Sequence, residues 1–339
     1  MSFYTDKKVL VTGGTGLIGV PLVQKLVKLG AKVTIVSTDP IERFELIKNR
    51  VKEFKDIWYY SLNLEDYTSC LAMTAGMDYV FQLAGSKGSV NIGHTKAATF
   101  LTSHLLINLN MLKAAQVNNV KKFLLTSTVG VYSPDSSYKE DEVWKGYPNE
   151  SDKYSAWAKR VSELAAEAFF EEYKWGGIII VRPGNTYGPW DNFDRNTAMV
   201  VGSLVDKFAT TDEILNIHGD GIPVRDFTYS EDIADGMILA LEKCWNCESF
   251  NLSIGKGYSI KELVDQISYN FSSRNTVRKY KFLQAETGIK NERVLNIDKA
   301  KELLEFNPKV ELEEGISKTV AWHLQNKDIV NIRYNAFNK

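Results

Sequence analysis

Three glycines at a fixed step, Gly13, Gly16 and Gly19, punctuate the run Val-Leu-Val-Thr-Gly-Gly-Thr-Gly-Leu-Ile-Gly over residues 9–19. An apolar strand-like run leads into them and an amphipathic stretch, 17–29, leads away. Glycines so spaced let the chain turn tightly out of a strand, let backbone N–H groups approach a ligand, and let the following helix pack closely on a sheet. The orphan N–H groups of that helix's first turn then favour an anion above the loop. The ligand that suits this arrangement is the pyrophosphate of a dinucleotide. Cys244 and Cys247 also have chemical spacing, but no second Cys or His pair accompanies them. Neither a zinc site nor a redox pair is therefore expected, and no metal is assigned.

The elements that must position the glycine turn can be read from the pattern around it. Strand-like runs at 8–12, 32–37, 57–61, 79–83, 123–126 and 178–182 alternate with helical patterns at 17–29, 41–51, 67–75, 98–116 and 154–172. Buried strands alternating with helices predict a Rossmann-type α/β fold, a doubly wound parallel sheet covered on both faces. Its ligands would lie beyond the carboxyl ends of the strands. After Pro183 the texture changes to Gly, Pro, Asn and Asp, and shorter mixed elements follow. We expect a dinucleotide-binding domain over 1–184, with 227–253 returning to it as a strand, helix and strand. A smaller mixed C-terminal substrate-binding lobe would take 185–226 and 254–339.

The 339 residues suffice for about two domains. A net charge of −1 with interspersed signs offers no basic face for nucleic acid. No apolar run approaches the roughly 20 residues that span a bilayer. The first residues lack a signal-peptide core, so a soluble cytoplasmic protein with no membrane partner is expected. Three cysteines are too few for a disulfide framework.

Six stretches, taken together and in order, carry a resemblance: 12–19, Leu83-Ala-Gly85, Thr126-Ser-Thr128, Tyr154 with Lys159, Arg182-Pro-Gly-Asn-Thr-Tyr-Gly-Pro189, and Arg225-Asp-Phe227. The chain resembles the extended short-chain dehydrogenase/reductase superfamily, nearest to its nucleotide-sugar epimerases and dehydratases. The resemblance implies that Thr128 hydrogen-bonds the reacting sugar hydroxyl and Tyr154 moves its proton. Lys159 would hold the nicotinamide ribose and lower the phenol's pKa. A free tyrosine titrates near 10, so this chemistry needs a cation beside it. The coenzyme would touch Gly13, Thr15, Gly16, Leu17, Ile18 and Gly19 in the turn. Asp39, Asn63 and Leu64 would lie at its adenosine and Leu83, Ala84 and Gly85 under its diphosphate, with Tyr154, Lys159 and Pro183 completing the set. Lys87, Thr128, Asn185 and Arg225 would bind the nucleotide sugar, Arg225 through the bidentate fork that suits phosphate.

The chain departs from the family at one point. The usual spacing is Tyr-x-x-x-Lys, whereas Ser155 stands four residues before Lys159 and Tyr154 stands five before it. A five-residue helical step separates two side chains by about 140°, a four-residue step by about 40°. Tyr154 therefore serves only from an irregular first turn or from a position ahead of the helix.

Asp39, two residues beyond the usual acidic position held by Ser37, favours NAD, while Ser37 and Thr38 leave NADP open. After Thr128 come Val129 and Gly130, without the acid pair of the family's 4,6-dehydratases, the Glu of its decarboxylases or the Cys of its 3,5-epimerases. What remains is hydride transfer at one carbon, most often C4, by an epimerase or a 4-dehydrogenase. The alternatives are an NADPH-linked 4-ketoreductase and an inactive, cofactor-binding scaffold. Relatives commonly dimerise through helices that correspond here to 98–116 and 154–172, so a homodimer or higher homo-oligomer is expected.

Overall fold

The computed structural model describes residues 2–85, 88, 90–211, 213–272, 278–283, 292–330 and 332–334. Its first half alternates β1 (Lys8–Thr12), α1 (Gly19–Lys28), β2 (Lys32–Ser37), α2 (Ile41–Arg50), β3 (Trp58–Ser61), α3 (Tyr67–Thr74) and β4 (Tyr79–Gln82). Then follow α4 (Val90–Thr95), α5 (Ala97–Val117), β5 (Lys122–Thr126), α6 (Lys153–Tyr173) and β6 (Ile178–Pro183). The second half contains β7 (Asn185–Tyr187), α7 (Val200–Thr210), β8 (Leu215–His218), β9 (Val224–Arg225), β10 (Phe227–Tyr229), α8 (Ser230–Lys243) and β11 (Glu248–Leu252). It closes with β12 (Tyr258–Ser259), α9 (Ile260–Phe271), β13 (Tyr280–Leu283), β14 (Glu292–Arg293), α10 (Asp298–Leu304), α11 (Leu312–Gln325) and α12 (Lys327–Val330).

Seven parallel strands form one sheet in the order β3-β2-β1-β4-β5-β6-β11. Alternation along each strand decides which layer it feeds. Val9 and Val11 of β1 pack with Val20, Leu22 and Val23 of α1 and with Ile233 and Met237 of α8. Leu10 points the other way, into the layer of Cys70, Met111 and Ala166 from α3, α5 and α6. The result is a Rossmann-like α/β fold.

Three smaller sheets lie toward the C-terminal end: β7 with β10, β8 with β13, and β12-β9-β14. Their core gathers Phe193, Leu204, Phe208, Ile267 and Ile316. Within the stretch expected to return to the large sheet, β11 pairs with β6 and α8 packs beneath it. The strand β10 instead pairs with β7, Phe227 opposite Asn185. This is a local correction to the expected order, because β11 already fills the edge beside β6.

The glycine turn is tight for reasons visible in its geometry. Gly13 has φ +65°, and a Cβ there would meet the Ala84 backbone nitrogen at 3.3 Å. A Cβ on Gly19 would lie 2.3 Å from the Gly13 carbonyl oxygen and 2.6 Å from the Gly14 Cα. Both obstacles at Gly19 are backbone. Gly19→Ala should therefore destabilise the protein by about 1–3 kcal/mol of overpacking, outweighing the roughly 1 kcal/mol that alanine adds to helix propensity. Thermal unfolding reads this as a fall of several degrees; an unchanged or raised midpoint contradicts the account.

Candidate active site

The carboxyl ends of β1 and β4 are joined to each other and to α5 and α6 by a buried polar chain that sequence reading missed. The Thr12 hydroxyl donates to Gln82 Oε1 (2.8 Å) and accepts the N–H groups of Leu83 (3.0 Å) and Ala84 (2.9 Å). Gln82 passes its amide protons to the Ala84 carbonyl and to Asn108 on α5, and Asn108 donates to Ser162 on α6. This chain fixes the 83–85 loop against the glycine turn. It also ties the loop to the helix that carries Lys159.

Thr15, 1% exposed, donates its hydroxyl to Asp39 Oδ2 (2.6 Å), and the same oxygen lies 3.1 Å from Ser37 Oγ. The Asp39 carboxylate is itself buried and also bridges Arg43 Nε at 3.2 Å. Asn63 is exposed and accepts the Glu65 N–H, while Leu64 is buried in the core beneath α3 and α5. Leu17 is buried and Ile18 is the uncapped residue ahead of α1, whose first turn holds no acidic side chain. Pro183 ends β6, paired with Leu252. Lys87 lies outside the described residues.

Lys159, on α6, is 8% exposed and donates from Nζ to the Thr126 carbonyl at 2.7 Å. A Cβ on Gly85 would lie 3.9 Å from the same Nζ, so the amine stands under the 83–85 loop. Burial pulls its pKa down to about 8, opposed by the Glu163 carboxylate. Beside it, the Thr126 and Ser127 hydroxyl oxygens are buried without a hydrogen-bond partner among the described residues. Thr128 is half-buried and its hydroxyl accepts the Gly130 N–H at 3.3 Å.

Helix α6 begins at Lys153, so Tyr154 lies within its first turn and not ahead of it. The Tyr154 ring sits 5.9 Å from Lys153 Nζ, and its hydroxyl makes no hydrogen bond among the described residues. Among the described residues no hydrogen bond joins Tyr154 to Lys159 or Thr128. Ser155 shares the face of Lys159, and its hydroxyl donates to the Asp152 carbonyl at 3.0 Å.

In the smaller sheets, Arg225 of β9 lies in register with Arg293 of β14. Burial pulls the Arg225 guanidinium down to about 10, helped by Arg293. Arg293 forms an ion pair with Asp152 and donates to Ser151 at 3.2 Å, reaching the start of α6. No sequence motif marked Arg293; only strand pairing reveals it. Asn185 is half-buried and donates from its backbone (3.4 Å) and side chain (3.0 Å) to Asp226 Oδ1. Asp226 Oδ2 accepts from Ser253 (2.8 Å) and from the Leu295 N–H (2.9 Å). Tyr187 is fully buried in the second core, and Arg182 is spent on a buried, bidentate pair with Glu163.

The sequence profile of the NAD dependent epimerase/dehydratase family matches residues 9–253. The chain belongs to that family. Its coenzyme is NAD, and the glycine cradle, the uncapped α1 and the buried amine of Lys159 fit that coenzyme. Among sequence relatives in the family is a UDP-glucuronate 4-epimerase of Thermodesulfobacterium geofontis, 28% identical over 95% of this chain and 97% of that protein. A GDP-mannose 3,5-epimerase of Oryza sativa is 25% identical over 93% and 81%. Among solved structures, a UDP-glucose 4-epimerase of Thermotoga maritima with UDP-glucose aligns with TM-score 0.79 and 29% identity. That alignment covers 94% of this chain and 99% of the other. An epimerase of Methanothermobacter thermautotrophicus aligns with TM-score 0.84 and 26% identity over 96% and 95%. The chain is an NAD-dependent enzyme of the nucleotide-sugar epimerase and dehydratase group. Among the described residues no helix is long and apolar enough to cross a membrane.

Lys159 makes a pH test available. Its ordinary pKa near 10.4 falls to about 8 on folding. Between those values the unfolded chain holds a proton that the folded chain lacks, so this group makes stability rise with pH. Lys159→Met should remove about 2 kcal/mol of that rise from the coenzyme-free protein between pH 8 and pH 10. Denaturant titrations at both pH values measure it. Parallel profiles for the two proteins contradict it.

Proposed function

We propose that the chain transfers hydride at C4 of a nucleoside-diphosphate hexose or heptose, as a 4-epimerase or 4-dehydrogenase. The observation that carries this reading is the arrangement around the carboxyl edge of the sheet. The glycine turn, Lys159 and Thr128 lie at the ends of the sheet strands, and the paired Arg225 and Arg293 reach the start of α6 through Asp152, itself close to Gly130. The position after Thr128 supports C4 chemistry, since buried Val129 and Gly130 offer neither the carboxylates of elimination nor a thiol. So does the likeness to proteins named as 4-epimerases.

Bound NAD supplies the hydride acceptor. Thr128 orients the C4 hydroxyl, Tyr154 takes its proton, and the ammonium of Lys159 favours the phenolate. Tyr154 reaches the sugar by a one-residue shift of the first turn of α6. Its unbonded, half-exposed hydroxyl supports this, as does the absence of a side-chain cap on that helix. Arg225 and Arg293 grip the diphosphate, the second leaving Asp152 to do so. Exposed Leu106 and Val117 on α5 and Val161 and Leu164 on α6 form the face on which two copies associate.

Incubation with UDP-, GDP- and dTDP-linked sugars separates the outcomes. A new C4 epimer without net change at 340 nm marks an epimerase, and stoichiometric reduction of NAD marks a dehydrogenase. Inertness toward every sugar rejects the reading. Tyr154→Phe should lower turnover by about 10²–10⁴-fold with NAD binding unchanged, whereas Ser155→Ala should keep most activity. Near-normal turnover of Tyr154→Phe removes the assignment. Arg225→Ala and Arg293→Ala should each weaken binding of the nucleoside diphosphate by roughly 10–100-fold and leave NAD affinity intact. Calorimetry with UDP, GDP and dTDP measures that loss.

A further inference from the structure

The last described residues, 332–334, cross the mouth of the glycine turn and are held there by two side chains. Arg43 of α2, 1% exposed, donates from Nη1 to the carbonyls of Ile329 (3.1 Å) and Ile332 (3.2 Å) and from Nη2 to that of Thr15 (3.2 Å). Asp39 Oδ1 accepts the Tyr334 N–H at 2.9 Å. The same two side chains thus bind the turn and the C-terminal segment together. Between the anchors stands Arg333. Its Nη1 donates to the Trp190 carbonyl at 3.2 Å. Its Nη2 lies 3.7 Å from where a Cβ on Gly16 would be, with no acceptor among the described residues.

This cation sits in surroundings that are already positive. Helix α1 opens beside it with no acidic residue in its first turn and no side-chain cap. Arg43 is close enough that burial and Arg333 together pull its guanidinium down to about 9, against the opposing Asp39. The Asp39 carboxylate is engaged by Thr15, Arg43 and Tyr334. A half-buried guanidinium facing a helix N-terminus and a second arginine is unfavourable until an anion lies between them.

We propose that Arg333 is a ligand of the coenzyme diphosphate, delivered by the C-terminal segment as a strap across the glycine turn. The proposal rests on the assignment of that turn to the coenzyme. A 2′-phosphate offers the same charge to an arginine, but Gly16 lies at the start of α1 and not at the end of β2. The end of β2 carries the Asp39 carboxylate, which repels a phosphate placed there. Since Arg333 is 314 residues beyond Gly19, this ligand belongs to no local motif.

The test uses the full-length, coenzyme-stripped chain with Arg333→Gln, which retains a donor for the Trp190 carbonyl, and Arg333→Lys, which retains the charge. Calorimetry with NAD, ADP-ribose, adenosine and 2′-AMP separates the contributions. Arg333→Gln should weaken NAD and ADP-ribose by the same factor, about 10–100-fold, and leave adenosine unchanged; Arg333→Lys should recover part of the loss. An equal loss for adenosine, no loss at all, or a loss confined to 2′-AMP overturns the proposal. So does a fall in the thermal midpoint of ligand-free Arg333→Gln that accounts for weakened binding. Failure of the unaltered chain to bind NAD removes the coenzyme assignment and this proposal with it, whereas a loss seen only in the variant leaves that assignment standing.

Discussion

The Thr12 hydroxyl occupies the gap between the ends of β1 and β4, where it donates once and accepts twice. Two backbone N–H groups of the 83–85 loop have this oxygen as their acceptor. Leaving such groups unsatisfied in a buried place costs about 1–3 kcal/mol each. The loop is therefore pinned at the distance that Gly13 alone tolerates, and the same contacts run on through Gln82 and Asn108 to the helix carrying Lys159. One side-chain oxygen in this way relates the coenzyme turn to the buried amine. The parallel sheet supplies the layer, and this polar chain supplies the registration within it.

Much of this was legible in the sequence, because its causes are local. Periodicity placed the helix expected at 98–116 within one residue at each end of α5, and that at 154–172 within one of α6. The glycine turn announced itself by spacing, since backbone crowding admits nothing larger at Gly19. The missed features depend on residues far apart in the chain. Arg293 matters because β14 lies in register with β9, 68 positions earlier by number. The strand β10 was read as returning to the large sheet, but its three residues hold too little pattern to choose between neighbours. The buried partners of Asp39 come from residues as distant as Tyr334, which its place after β2 could not announce.

The first turn of α6 marks where local and tertiary demands diverge. Helix geometry gives Ser155 the face of Lys159, while the proposed proton transfer calls on the phenol one residue earlier. An aliphatic hydroxyl is too weak an acid to stand in for it. The Asp152 and Arg293 pair is built into the same turn, so the charge proposed to meet the substrate also braces the helix start.

Asp226 has a mechanical meaning beyond its place near Arg225. Its buried carboxylate is held by Asn185 from β7, Ser253 just beyond β11 and the backbone of Leu295 just beyond β14. Sliding these elements past one another would strip donors from an enclosed carboxylate, which is far costlier than rotating about it. Relative motion of β7, β11 and β14 would then turn about this carboxylate as a pivot rather than shear past it.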